Sequence, residues 1–188
     1  MRELAGWTDG SRGSLVTRLP LHWAFRRDPN DTGLPRGWAY TPADLAHWHS
    51  SGRHLAAADR KDYPRAWEMV RTDLYLQAQG IRDSDAQSYT GHYWYQTELE
   101  LTGEQAAGPL ELRFPGAFNE LWLYVNGVLA AHRPLREPWW RSHSRFDWTV
   151  DVTDKLKPGR NLIAIRGFNP HHFGGLFRRP VLYRKTGR

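Results

Sequence analysis

Period-two alternation across the second half of the chain limits its fold more than any other feature. From Tyr93 to Leu101, the residues Tyr93, Tyr95, Thr97, Leu99 and Leu101 alternate with Trp94, Gln96, Glu98 and Glu100. Successive side chains of a strand point to opposite faces, so this pattern predicts a half-buried strand. Leu110, Leu112 and Phe114 repeat it around Glu111 and Arg113. Leu121, Leu123 and Val125 repeat it again and end at Asn126-Gly127, a strong hairpin signal because both residues tolerate positive φ. Phe146, Trp148, Val150 and Val152 form a further inward face. Lys157-Pro158-Gly159 then turns the chain into Asn161–Phe168, and Val181–Tyr183 supplies a short last strand. The expectation is an all-β, antiparallel sandwich of about eight to ten strands.

The first half is less regular. Leu15–Leu19 and His22–Phe25 read as strands broken by Pro20, and residues 28–37 are rich in turn formers. Thr41-Pro42-Ala43-Asp44 reads as a helix start, with Thr41 as N-cap and Pro42 at the first helical position. A small helical insertion over about 41–62 would decorate the sandwich. With no internal repeat and no low-complexity linker, residues 1–188 are expected to form one domain.

A chain of 188 residues hides about 70% of its unfolded surface, so it needs no covalent or metal staple. The absence of cysteine excludes disulfides, thiolate zinc sites and a cysteine nucleophile. No apolar stretch approaches the length of a membrane-spanning helix, so no membrane partner is expected. The N-terminal segment shows no apolar signal-peptide core, which leaves the compartment open.

Charge is unevenly placed. Residues 1–94 carry 12 basic and 11 acidic side chains, whereas residues 95–188 carry 14 and 9. A basic surface suits polyanions, yet no helix-turn-helix, aromatic RNA-binding signature or dense basic run accompanies it. Nucleic acid is therefore the less favoured partner. Ten Trp and eight Tyr point elsewhere, since indole and phenol rings serve sheets, interfaces and sugar platforms.

Five segments, in order, resemble the N-terminal sugar-binding domain of family 2 glycoside hydrolases, a galactose-binding-like jelly roll. They are HWAFRRDPNDTG, WEMVRTD with YTGHYWYQTELEL, LRFPGAFNELWLYVNG, FDWTVDVTDKLKPGRN, and IRGFNPHHFGGLFRRPVLYR. The resemblance covers residues 67–184 well and 15–38 loosely, while residues 39–66 depart from it as an insertion. Nothing in the sequence corresponds to the family's catalytic barrel. The resemblance therefore implies a jelly roll and a carbohydrate setting, with a catalytic glycosidase domain as partner in a parent protein. It does not imply hydrolysis.

The residues themselves point the same way. A glycosidase needs two carboxylates facing one sugar across roughly 5–10 Å, and Glu98, Glu100, Glu111, Asp147 and Asp151 sit on outward strand positions or at turns. Asp151 reads as a turn former. Adjacent His171 and His172 point apart on an extended chain and do not share a metal. Asp28, Asn30 and Asp31 read as an Asx-rich turn, with a calcium site on the same residues as the weaker alternative. Ser142, His143 and Ser144 are neighbours in sequence, which a catalytic triad cannot be.

Sugar binding needs an aromatic face for the C–H side of a ring and planar donors for hydroxyl pairs. REPWWRSHSR (136–145) offers Trp139, Trp140 and Arg141, flanked by Arg136, His143 and Arg145. By resemblance, Asn169, His171 and His172 of NPHHF stand where the family makes polar sugar contacts. The expected ligand-binding set is therefore Trp139, Trp140, Arg141, Asn169, His171 and His172, with an acidic glycan among the candidate ligands. Trp94, Trp122 and Trp148 lie within strands and read as core or sheet-face residues. Three functions stay open: a non-catalytic carbohydrate-binding module, an accessory domain that scaffolds a glycosidase without binding sugar itself, and a basic protein- or nucleic-acid-interaction module.

Overall fold

The structure, a computed structural model, describes residues 13–45, 67–83, 87–135, 146–171 and 173–185. The described part of the first half contributes β1 (Gly13–Arg18), β2 (His22–Arg27) and β3 (Glu68–Arg71). The middle contributes β4 (Gly91–Leu101), β5 (Leu110–Phe114), β6 (Gly116–Phe118), β7 (Glu120–Val125) and β8 (Val128–Arg133). The last part contributes β9 (Trp148–Asp151), β10 (Gly159–Asn169), β11 (Gly175–Arg178) and β12 (Val181–Lys185).

These strands form antiparallel sheets packed as a sandwich. One sheet has the order β1-β12-β5-β9, the second β3-β2-β4-β10-β7-β8, and β11 pairs with β6 alone. The alternation along β4 resolves as expected on its inner face: Tyr93, Tyr95, Leu99 and Leu101 enter the main core. There they meet Leu110, Leu112 and Phe114 of β5, Leu121, Leu123 and Val125 of β7, and Ile163 and Ile165 of β10. Phe25 packs 5.7 Å from the Tyr93 ring and 5.3 Å from the Tyr95 ring, which fills the space near β2 without small residues.

The outer face of β4 departs from the expectation of a half-buried strand. Trp94 and Gln96 are as buried as the inner residues, and only Glu98 and Glu100 are exposed. The reason is a second, smaller core of Ala24, Trp38, Ala39, Trp67, Trp94, Tyr124 and Ala164 on that face. Residues 32–41 wind over the sheet in successive turns, with Arg36, Trp38 and Thr41 N–H groups donating to carbonyls of Thr32, Gly33 and Gly37. A side chain at position 33 would place Cβ 2.2 Å from the Trp94 indole and 2.4 Å from Trp38, so only glycine lets this segment close down. Trp38 then seats edge-on between Trp94 (6.2 Å) and Trp67 (5.5 Å).

Two further departures have local causes. Residues 41–45 carry no helix, so the expected start at Thr41 is not a helix N-terminus; the rest of the expected 41–62 insertion lies outside the described residues. Thr41 is instead held by its turn and by the Gln96 side chain. Among the described residues the α-helix is α1 (Gly103–Ala106), closed by a Thr102/Gln105 capping box. The described strands number twelve, because β3 and β6, with 4 and 3 residues, are too short to show alternation. The Asn-Gly hairpin joins β7 and β8 as expected, with φ of 51° at Asn126 and 84° at Gly127.

Candidate functional site

At one end of the sandwich the chain leaves β10 at Asn169 and enters β11 at Gly175. Asn169 is fully buried. Its Oδ1 accepts from Asn119 Nδ2 at 2.8 Å, and its Nδ2 donates to the Tyr89 carbonyl at 3.3 Å. Asn119 Nδ2 also lies 3.4 Å from the Phe173 carbonyl, while Arg133 Nη1 donates to the Asn119 carbonyl at 2.6 Å. The Gly-Gly pair follows from this crowding. A Cβ at Gly174 would lie 2.8 Å from the Asn169 side chain, and Gly175, at φ 91°, has the Tyr95 hydroxyl within 2.4 Å of that position.

Aromatic rings floor this end. Phe173 stacks on Phe118 at 5.2 Å and meets Tyr75 edge-on at 5.4 Å. Phe146 meets Phe118 and Phe177 edge-on at 5.5 and 5.3 Å, and Tyr75 stacks on Phe177 at 4.3 Å. Phe146 follows segment 136–145 directly, so the described roots of the two loops expected to bind sugar converge on Phe118. His171 is half-buried at this end. Trp139, Trp140, Arg141 and His172 lie outside the described residues.

Asn169 does different work from the open sugar contact expected of it. Both its polar atoms face protein partners in a buried site, so it sets the base of the 169–173 loop. Asn119 is its positioning partner, and sequence reading assigned it no role. The available signal was a lone asparagine between Phe118 and the strand Glu120–Val125.

The segment holding Asp28, Asn30 and Asp31 is an Asx-rich turn. Asp28 is buried, and its carboxylate accepts from Thr32 N–H (2.8 Å), Thr32 hydroxyl (3.3 Å), Gly33 N–H (2.8 Å) and Trp94 Nε1–H (3.0 Å). Asp31 turns away and holds Arg166 through two bonds of 2.8 and 2.5 Å, while Asn30 is exposed. N–H donors and a guanidinium thus occupy the positions a cation would need. Among the described residues no group of three or more His, Asp or Glu could hold a metal ion.

The strand tryptophans behave as expected. One cross-strand row on the outer face runs Arg26, Trp94, Arg166, Trp122, His132 through β2, β4, β10, β7 and β8. Arg166 lies 4.0 Å over the Trp122 ring, and His132 stacks parallel to that ring at 4.7 Å. With neighbours stacked on it from both adjoining strands, Trp122 serves the sheet face. Trp148 packs on Phe114 at 5.2 Å.

His92 adds a pH dependence to this face. Burial holds its imidazole below the usual histidine range; Asp31 and Glu120 oppose that shift and Arg166 adds to it. Its Nδ1 has no hydrogen-bond partner, and Asp31 Oδ1 is 3.7 Å away. The unfolded chain therefore takes this proton first, starting near pH about 6.5, and stability falls as pH drops from there toward the folded value. Urea unfolding between pH 7 and 5 is expected to show this loss, and His92→Gln to flatten it. Equal slopes for the two proteins would exclude His92 as its source. Asp31 acts in a separate, more acidic window, because its bonds to Arg166 hold its carboxyl below the usual range.

No family model matches the chain, and no curated protein matches it. Its fold matches part of a solved β-glucuronidase from Ruminococcus gnavus, with a TM-score of 0.66 and 17% identity over 93% of this chain and 29% of that one. The same enzyme in complex with D-glucuronic acid matches with a TM-score of 0.67 at 17% identity, over 93% and 30% of the two chains. This chain thus spans about 30% of the length of the protein it matches. What the two share at this identity is the antiparallel sandwich.

Proposed function

We propose that this chain is a non-catalytic carbohydrate-binding β-sandwich module, associated with or derived from a glycoside hydrolase of the family 2 kind. The observation that carries the reading is the fold match over 93% of the chain to a segment of a β-glucuronidase. The convergence of both loop roots on Phe118 supports a site at that end of the sandwich. There Trp139 or Trp140 stacks on a sugar ring, Arg141, His171 and His172 reach its hydroxyls or carboxylate, and Asn169 with Asn119 holds the loop base. Three arginines in 136–145 favour an acidic glycan, and the matched enzyme carries D-glucuronic acid in one of its complexes.

Calorimetry with a glucuronate-containing oligosaccharide and a neutral one tests this at two salt concentrations. The acidic ligand is expected to bind and to weaken with salt, as charge screening requires. Trp139→Ala or Trp140→Ala should cost on the order of 1–3 kcal/mol, by analogy with base–aromatic stacking. A wild-type protein that binds neither glycan would favour the accessory-domain reading, in which the module scaffolds a catalytic partner. The internal commitment of Asn169 is the observation on that side. Tighter binding of duplex DNA than of either glycan would favour the basic interaction module.

A further inference from the structure

The Asn126-Gly127 turn carries a chemical liability that its own geometry demands. Both residues hold positive φ, 51° and 84°, which asparagine and glycine accept most readily. A Cβ at position 127 would lie 2.8 Å from the Tyr40 side chain, so no larger residue replaces Gly127 without movement. Of the five asparagines in the chain, only Asn126 precedes a glycine. An asparagine so placed can react with its own backbone, because no side chain on the next residue shields the attacking nitrogen.

The reaction needs no reagent but water. The Gly127 amide nitrogen bonds to Asn126 Cγ, the Cγ–Nδ2 bond breaks, and the amide proton passes through solvent to the departing ammonia. Water then opens the cyclic imide at either carbonyl, leaving an aspartyl or isoaspartyl residue at position 126. Water reaches this turn. Asn126 and Gly127 are half-buried, and Val128 and Leu129 beyond them are 60% and 50% exposed.

What opposes the step is the bonding of the Asn126 side-chain amide. The nitrogen that must leave donates to the Lys155 carbonyl at 3.0 Å and to Asn161 Oδ1 at 2.9 Å. Asn126 Oδ1 accepts from Leu162 N–H at 3.0 Å, and the Asn126 main-chain N–H donates to the Leu162 carbonyl at 2.8 Å. The amide is thus committed to β10 and the turn before it, and must release these partners before Cγ can turn to the Gly127 nitrogen.

We propose that Asn126 is a spontaneous deamidation site, held latent in the folded chain by its bonds to Lys155, Asn161 and Leu162. The change is irreversible in its effect. The product only accepts hydrogen bonds where Nδ2 donated them, so it sets a carboxylate against the Lys155 carbonyl and Asn161 Oδ1. An opening of the turn that lasts long enough to react is therefore recorded permanently in the chain.

The test is incubation of the full chain in mildly alkaline buffer, with deamidation at each asparagine followed by peptide mass mapping. In guanidinium chloride, the unfolded chain is expected to react first at Asn126. The folded chain should react there about a hundredfold more slowly, at about fivefold for each of the three side-chain bonds. Asn161→Ala removes one of these bonds and should raise the folded rate about fivefold or more. Leu112→Ala, in the buried core of the opposite sheet, lowers stability without touching the turn and should leave the folded rate unchanged. The folded-to-unfolded comparison uses the wild type alone, so it stands even if Asn161→Ala does not fold. The proposal is overturned if Asn126 reacts equally fast folded and unfolded, or if another asparagine reacts before it in the unfolded chain. It is overturned equally if Leu112→Ala accelerates the reaction as much as Asn161→Ala does.

Discussion

Alanine in place of Asp28 is expected to lower the free energy of unfolding by about 3–5 kcal/mol, the largest loss expected from any one polar side chain among the described residues. The carboxylate is 2% exposed and accepts from two backbone N–H groups, one hydroxyl and one indole N–H. Removing it leaves the Gly33 and Trp94 donors buried and unpaired, and each such group costs about 1–3 kcal/mol. It also releases the segment whose turn places Trp38 over the sheet, so the second core loosens with it. Asp28→Asn keeps one acceptor oxygen but turns an NH₂ toward existing donors, and should cost about 1–2 kcal/mol. Urea denaturation of both variants measures this directly. A cycle with Trp94→Phe, which deletes only the indole donor and some ring area, isolates the Asp28–Trp94 bond. A loss under about 1 kcal/mol for the alanine variant would mean that water reaches these donors, contrary to their burial.

Asp28 also shows where sequence reading stops. Its segment DPNDTG reads first as an Asx turn and only secondly as a calcium loop, and both require carboxylates beside tight backbone. What separates them is Trp94, 66 positions away, whose N–H arrives at the carboxylate only after the sheet has formed. The same limit explains Gln96. Alternation along β4 marks it as a polar outward residue, and it is outward. It is buried because a loop from 32–41 folds over it, and no periodicity encodes a covering loop. The strands themselves were legible, since Tyr93–Leu101 and Leu121–Val125 carry their own period of two and the Lys157-Pro158-Gly159 turn marks the start of Asn161–Phe168. The proposed sandwich-end site rests on composition at Trp139, Trp140 and Arg141, which lie outside the described residues, while the buried hydrogen bond of Asn169 depends on Asn119 from another strand.

The motifs that carried the family resemblance have a physical basis of their own, which a last prediction exposes. Asn126 of the VNG hairpin and Asn161 of the PGRN turn are bonded to each other, Asn126 Nδ2 donating to Asn161 Oδ1 at 2.9 Å. Asn161 is fully buried. Its Nδ2 donates to the Lys157 and Gly159 carbonyls at 2.7 and 3.0 Å, and its Oδ1 also accepts from Lys157 N–H at 3.0 Å. Asn126 in turn donates to the Lys155 carbonyl and accepts from Leu162 N–H, both at 3.0 Å. These two asparagines therefore clamp the turn before β10 to the β7–β8 hairpin. Asn161→Ala is expected to cost about 2–4 kcal/mol, less than the sum of its bonds because the turn carbonyls regain water. Asn126→Ala adds the strain of a positive φ, about 1–2 kcal/mol, to its lost bonds. The double variant should fall short of additivity by about 0.5–3 kcal/mol, since the bond between the two can be lost only once. Neither change should alter any glycan affinity of the proposed site, since the sandwich end lies at the opposite end of β10 from Asn161. Full additivity would mean that the two motifs act separately, and a loss of glycan binding in a folded Asn161→Ala protein would make this turn part of the site.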